Sequence, residues 1–143
     1  NTMILSTYQS YNFPFELKKE IVHFLHLNLD PHETDPDAIA QALNYIPDKG
    51  GHLILLHSLK NELVGACVIN HTHMNQYNPE NFLVFLAVDK NQRRNGYGKM
   101  IMDEAVKVTH GDIYLHISSD NPAKVLYEKY GFTTPYIEMR YKK

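Results

Sequence analysis

The residues best placed by type and spacing to do chemistry are Arg93-Arg94-Asn95-Gly96-Tyr97-Gly98-Lys99. They follow an apolar run, residues 82–88, and open an amphipathic stretch, residues 96–108. That order predicts a buried strand, a short basic loop and the first turn of a helix. The leading amides of a helix have no partner within it, and the helix dipole favours negative charge there. Glycines at 96 and 98 let the backbone approach an oxygen closely, and Arg93, Arg94 and Lys99 add positive charge. The ligand expected from this chemistry is a phosphate or pyrophosphate. Two familiar phosphate-binding patterns do not fit. A dinucleotide fingerprint needs a third glycine where Ile101 stands, and a nucleotide P-loop needs four residues between its glycines and then Lys-Ser/Thr. For this segment alone, a tight turn with solvated arginines is the plain alternative.

The other reactive side chains are less organised. Nine histidines raise the question of a metal, but only His71 and His73 pair on one strand face, and no third ligand is evident beside them. No metal site is expected. The single cysteine, Cys67, lies inside an apolar stretch and reads as a small buried hydrophobe. It cannot form an internal disulfide, which fits a reducing, cytoplasmic setting. Asp30, Glu33, Asp35 and Asp37 form an acidic stretch that would suit a cationic ligand. Helix capping and compensation of the helix dipole account for at least Asp35 and Asp37.

The elements that must position these residues alternate between strand and helix. Residues 3–8 read as a strand, and Pro14 opens a helix with Leu17, Ile21, Phe24 and Leu25 on one face. Asp35-Pro36 starts a second helix with Ile39, Leu43 and Ile46 as its stripe. Residues 52–59 and 62–71 form a hairpin, followed by the strand 82–88 and the helix 96–108. A strand over 113–118, a helix over 122–130 ending at Gly131, and a last strand over 136–141 complete the order. The 143 residues make one α/β domain, residues 1–143, with a mixed sheet covered by helices. Lys and Arg number 14 against 16 Asp and Glu, a net charge of −2. A protein held to nucleic acid through phosphates is normally more basic, so no nucleic-acid partner is expected. The longest apolar run, seven residues, is far below the roughly 20 of a membrane span. No targeting segment is recognised either, so no membrane partner is expected.

A second segment gives the loop a context. Asp120-Asn121-Pro122-Ala123-Lys124-Val125-Leu126-Tyr127-Glu128-Lys129-Tyr130-Gly131-Phe132, together with Arg93-x-x-Gly96-x-Gly98, resembles the two motifs of the GCN5-related N-acetyltransferase (GNAT) family. The order of elements is similar to that fold over the whole chain. Three departures are visible: Lys90 replaces the usual proline before the phosphate loop, Asp120 occupies the register of the family asparagine with Asn121 beside it, and only one strand follows Gly131-Phe132. The last reads as a compact variant of the fold.

The resemblance implies an N-acetyltransferase that uses acetyl-CoA as cosubstrate and acts on an amine of a small molecule or peptide by direct attack. A homodimer is compatible with it. Backbone groups of Leu86, Ala87 and Val88 would pair with the pantetheine, as would Asp120 or Asn121. Amides and side chains from Arg93 through Arg94, Asn95, Gly96, Tyr97, Gly98 and Lys99 would hold the pyrophosphate. Tyr127 falls at the position of the family's general acid. Some members carry a Glu where Phe82 stands, so the base is sought in Glu80, two residues earlier on the same face, or in His116, whose residue type titrates near neutrality. The competing reading is a non-catalytic acyl-CoA-binding or sensor module on the same fold.

Overall fold

The computed structural model describes residues 2–29 and 34–143. Five strands lie in chain order across one sheet: β1 (Met3–Tyr8), β2 (Gly51–Ser58), β3 (Leu63–His71), β4 (Asn81–Val88) and β5 (Ile113–Leu115). The first three neighbouring pairs are antiparallel and β4–β5 is parallel. Among the described residues the α-helices are α1 (Lys18–Asn28), α2 (Pro36–Lys49), α3 (Tyr97–Val108) and α4 (Ala123–Tyr130). The sheet is mixed and carries helices on both faces, as the sequence predicts.

Alternation along β2 explains the layering. Leu53 and Leu55 point to one side and pack with Ile21, Leu25, Ile39, Leu43 and Ile46 of α1 and α2. Ile54 and Leu56 point to the other and pack with Ile101, Met102 and Ala105 of α3. A central strand buried on both faces is read as a continuous apolar run for this reason. Local chemistry fixes the helix ends. The Asp35 carboxylate accepts a hydrogen bond from the Asp37 amide at 2.9 Å, Pro36 occupies the first turn, and Gly50 ends α2 at φ 105°. The helix expected to open at Pro14 begins at Lys18, because a 3₁₀ turn over Phe15–Leu17 intervenes. Asp30 and Glu33 lie outside the described residues.

Two expectations for the end of the sheet are corrected. β5 extends only to Leu115, and residues 136–141 form no strand. Tyr136, Ile137, Met139 and Tyr141 are 70–91% exposed. An alternating sequence is extended but not a strand until a neighbour completes its ladder, and β5 offers only three paired residues. No helix among the described residues is long and apolar enough to cross a membrane.

Candidate active site

The parallel pairing of β4 and β5 stops at Leu83–Leu115, and there the two strands part. On its other edge β4 stays paired with β3, through Cys67–Leu86, Ala66–Ala87 and Gly65–Val88. The register slips between Val68–Phe85 and Ile69–Leu83, leaving Val84 as an extra residue on β4. A bulge of this kind bends a strand and interrupts its pairing. The other end of the junction is tied shut. Asn81, 1% exposed, donates from Nδ2 to the carbonyls of His110 (2.8 Å) and Asp112 (3.2 Å). Asn81 is a feature the sequence reading missed; a lone amide at the head of an apolar strand is its only signal.

The divergence opens a cleft of about 710 Å³ between the second half of β4, residues 116–118, and the N-terminal halves of α3 and α4. Leu86, Ala87 and Val88 line one wall, and His116, Asn121 and Tyr127 line the other. At the head of α3 the first helical bond runs from the Met100 amide to the Gly96 carbonyl, 3.0 Å. The amides of Tyr97, Gly98 and Lys99 therefore have no acceptor within the helix. Gly96 enters the helix at φ 79° and Arg94 sits at φ 69°. A Cβ on Gly96 would meet nothing within 4 Å, so backbone conformation, not crowding, is what demands glycine there. These features suit the loop to an anion.

The basic side chains divide their tasks. Arg93 donates from Nη2 to the Asn28 carbonyl at 2.7 Å and from Nε to the Val88 carbonyl at 3.2 Å, clamping the end of α1 to the end of β4. Arg94 makes no hydrogen bond or ion pair with the described residues and lines the cleft. Lys99 also lines it, with its ammonium 3.1 Å from the Asp103 carboxylate. The Asn95 side chain turns back to donate to the Gln92 carbonyl, 2.9 Å, and the Tyr97 ring is buried beneath the loop against the α3 core. Asp103 joins α3 to α4 by accepting from the Tyr130 hydroxyl at 2.7 Å. That bond first, and Lys99 next, hold its carboxyl below the ordinary range.

Tyr127 is 9% exposed, with its ring set edge-on to Phe132 at 5.6 Å. Buried tyrosines ordinarily find a partner for the hydroxyl. This one has none among the described residues, and it lines the cleft. Burial pushes its phenol well above the usual value, and the neighbouring Cys67 adds to the shift. Burial likewise pushes the Cys67 thiol far up, so it stays protonated inside the core.

The remaining predicted residues are separated by the fold. Asn121 reaches the cleft and its Oδ1 accepts from the Ala123 amide at 2.9 Å, whereas Asp120 is exposed and does not line the cleft. His116 lines the cleft, its ring 5.0 Å from Phe82, which itself stacks on Tyr114 at 4.7 Å. Glu80 is not on the strand and does not reach the cleft. Its carboxylate lies against Gly111 and accepts from the Asp112 amide at 3.2 Å, at the tied end of β4. His71 and His73 stack edge-on at 4.5 Å, and His73 Nε2 lies 2.5 Å from the Lys49 carbonyl. No group of three or more potential metal ligands occurs among the described residues.

A sheet split at a bulge, with a basic helix entrance at the mouth of the split, defines a class of site. It suits a long ligand with hydrogen-bonding amides at one end and phosphates at the other. The family profile of the acetyltransferase (GNAT) domain matches residues 48–134. The chain belongs to the GNAT acetyltransferase family. Over 60 residues, 41% of its length, it is 38% identical to the Cysteine-rich protein 2-binding protein of Mus musculus, of which the match spans 8%; the Homo sapiens protein matches equally. A structure titled a possible acetyltransferase, from Clostridium difficile 630, superposes with a TM-score of 0.70 at 16% identity, covering 100% of this chain and 98% of that one. The aminoglycoside N-acetyltransferase AAC(6')-Iy, solved in complex with CoA, superposes with a TM-score of 0.69 at 14% identity, covering 99% and 95%. These likenesses show the fold.

Proposed function

We propose that this domain moves an acetyl group from acetyl-CoA to an amine of a small molecule or peptide by direct attack. The observation that carries the reading is the Tyr127 hydroxyl, buried, unpartnered among the described residues and open to the cleft between the split strands. An acyl-CoA-binding module needs the cradle but has no use for a donor held at that point.

The site residues fit the cosubstrate. The amides of Tyr97, Gly98 and Lys99 with Arg94 would take the pyrophosphate, an arrangement worth more than its charges alone because the helix dipole adds to it. The edge of β4 that β5 abandons, over Leu86, Ala87 and Val88, would pair with the pantetheine amides, with Asn121 facing it; Asn121 is preferred to Asp120 because it lines the cleft. Arg93 shapes the loop through Asn28 and Val88.

An alkylamine arrives protonated, with a pKa of about 10, so one proton must leave before attack. His116 is the base we assign, since it lines the cleft and Glu80 does not. The departing sulfur carries a negative charge. A phenol whose pKa burial has raised does not surrender its proton to it, so Tyr127 acts as a fixed hydrogen-bond donor. The mammalian relatives are matched over 8% of their length, and the acceptor is not inferred from them. The test is release of CoA thiol from acetyl-CoA across a panel of amines, with the acetylated amine identified by mass. Tight acetyl-CoA binding with no release for any amine would favour the sensor module.

A further inference from the structure

β4 carries no carboxylate and that of Glu80, just before it, is taken by the Asp112 amide, so the base at this site comes from another element. The C-terminal segment, which forms no strand, approaches His116 where the sheet ends. Glu138 Oε1 lies 3.6 Å from His116 Nδ1, and the second oxygen, Oε2, accepts from Arg140 Nε at 2.6 Å. Two aromatic rings lie near the imidazole, Phe82 of β4 at 5.0 Å and Tyr114 of β5 at 5.8 Å. Two residues earlier in the same segment, the Tyr136 ring lies 5.7 Å from that of Tyr77. His116 therefore has Nδ1 facing a carboxylate that Arg140 also engages, and the residue lines the cleft.

We propose that Glu138 is a positioning residue for His116: it favours the tautomer with the proton on Nδ1, leaving the Nε2 lone pair as the base for the acceptor amine. The inference rests on the acetyltransfer reading above. A carboxylate accepts only, so its negative charge favours the tautomer with the proton on the ring nitrogen that faces it. At 3.6 Å the two atoms are close but beyond hydrogen-bond length. Catalytic contacts of this kind commonly tighten when the substrate is bound.

The acceptor ammonium gives a proton to His116 Nε2, forming the imidazolium that Glu138 stabilises. The freed amine nitrogen forms a bond to the thioester carbonyl carbon, and the carbon–sulfur bond breaks with its electron pair on sulfur. Tyr127 donates a hydrogen bond to that sulfur. The second proton on nitrogen passes to that sulfur, CoA leaves as the thiol, and His116 returns its proton to solvent. The products are the amide, CoA thiol and one proton.

Two readouts test this. Side-chain ¹⁵N NMR of the protein without acceptor reports which His116 nitrogen carries hydrogen. Wild type should show Nδ1–H, Glu138→Ala should shift the population towards Nε2–H, and Glu138→Asp should restore part of it. In the thiol-release assay Glu138→Ala should lower kcat about tenfold with KM for acetyl-CoA unchanged, against about 100-fold for His116→Gln. Glu138→Ala should have no further effect in the His116→Gln background, because its action passes through that ring. An unchanged tautomer, an unchanged kcat, or an equal loss in both backgrounds would overturn the proposal. No thiol release by wild type with any amine would instead refute the acetyltransfer reading; the tautomer measurement needs no acceptor and still decides the part played by Glu138. Because Glu138 is exposed, an unchanged Tm is expected for its variants.

Discussion

Replacing Tyr127 with Phe removes one oxygen atom and little else. The hydroxyl has no protein partner among the described residues, so no internal bond is broken. The ring keeps its edge-on contact with Phe132 and its place in the α3 core. The folded protein should therefore melt within a degree or two of wild type. The loss falls on the reaction. A hydrogen bond to a charged group contributes about 1.5–3 kcal/mol, and about 1.4 kcal/mol corresponds to tenfold in rate. If the hydroxyl bonds the departing sulfur and not the resting thioester, kcat should fall roughly 10- to 150-fold, with KM for acetyl-CoA nearly unchanged. The pH profile adds a second check. Burial raises the phenol above its ordinary value of about 10, so Tyr127 stays protonated throughout the working range. The profile of Tyr127→Phe should keep the shape of wild type at a lower rate. The assay is continuous detection of CoA thiol at saturating acetyl-CoA. An unchanged kcat, or loss of an alkaline limb that wild type displays, would refute the donor role.

Other consequences are as direct. Gly98→Ala should leave Tm unchanged, because the new Cβ meets only Leu126 Cδ2 at 3.7 Å and Val88 Cγ2 at 4.0 Å, yet it should abolish most of the stabilisation that CoA gives in a thermal-shift titration. Gly96→Ala should differ by lowering Tm itself, since φ 79° costs a side chain about 1–2 kcal/mol. Iodoacetamide should neither modify nor inactivate the folded protein, because Cys67 is fully buried and its thiol pKa is driven up. Burial, with a smaller effect of His71, holds the His52 pKa below its ordinary value. The unfolded chain then binds more protons, so stability should fall as pH drops below about 6.5, and His52→Leu should lose part of that dependence in pH-resolved melting curves.

Local patterns made much of this molecule legible in its sequence. The stripes Ile39-Leu43-Ile46 and Tyr97-Ile101-Ala105 are buried where a period of 3.6 places them. The unpaired amides after Gly96 follow from the position of a glycine pair at a helix entrance. What sequence could not supply is long-range. Asn121 and Asp120 are neighbours, and only the turn leading into α4 decides which faces the cleft. Glu80 was expected on the cleft face by strand alternation, but β4 begins one residue later and the carboxylate is drawn to the Asp112 amide. The alternation over 136–141 promised a strand, yet a strand needs a ladder partner and β5 ends after three paired residues. The meeting of His116 with Glu138, 22 positions apart, has no signature in spacing at all.

The central claim is that this chain's cleft performs acetyl transfer and does not merely hold the thioester. The most direct measurement is thiol release from acetyl-CoA by wild type against a panel of primary amines, run beside calorimetric binding of acetyl-CoA. The account predicts release that depends on at least one amine, with that amine recovered in acetylated form. Saturable binding of acetyl-CoA with no amine-dependent release would contradict it.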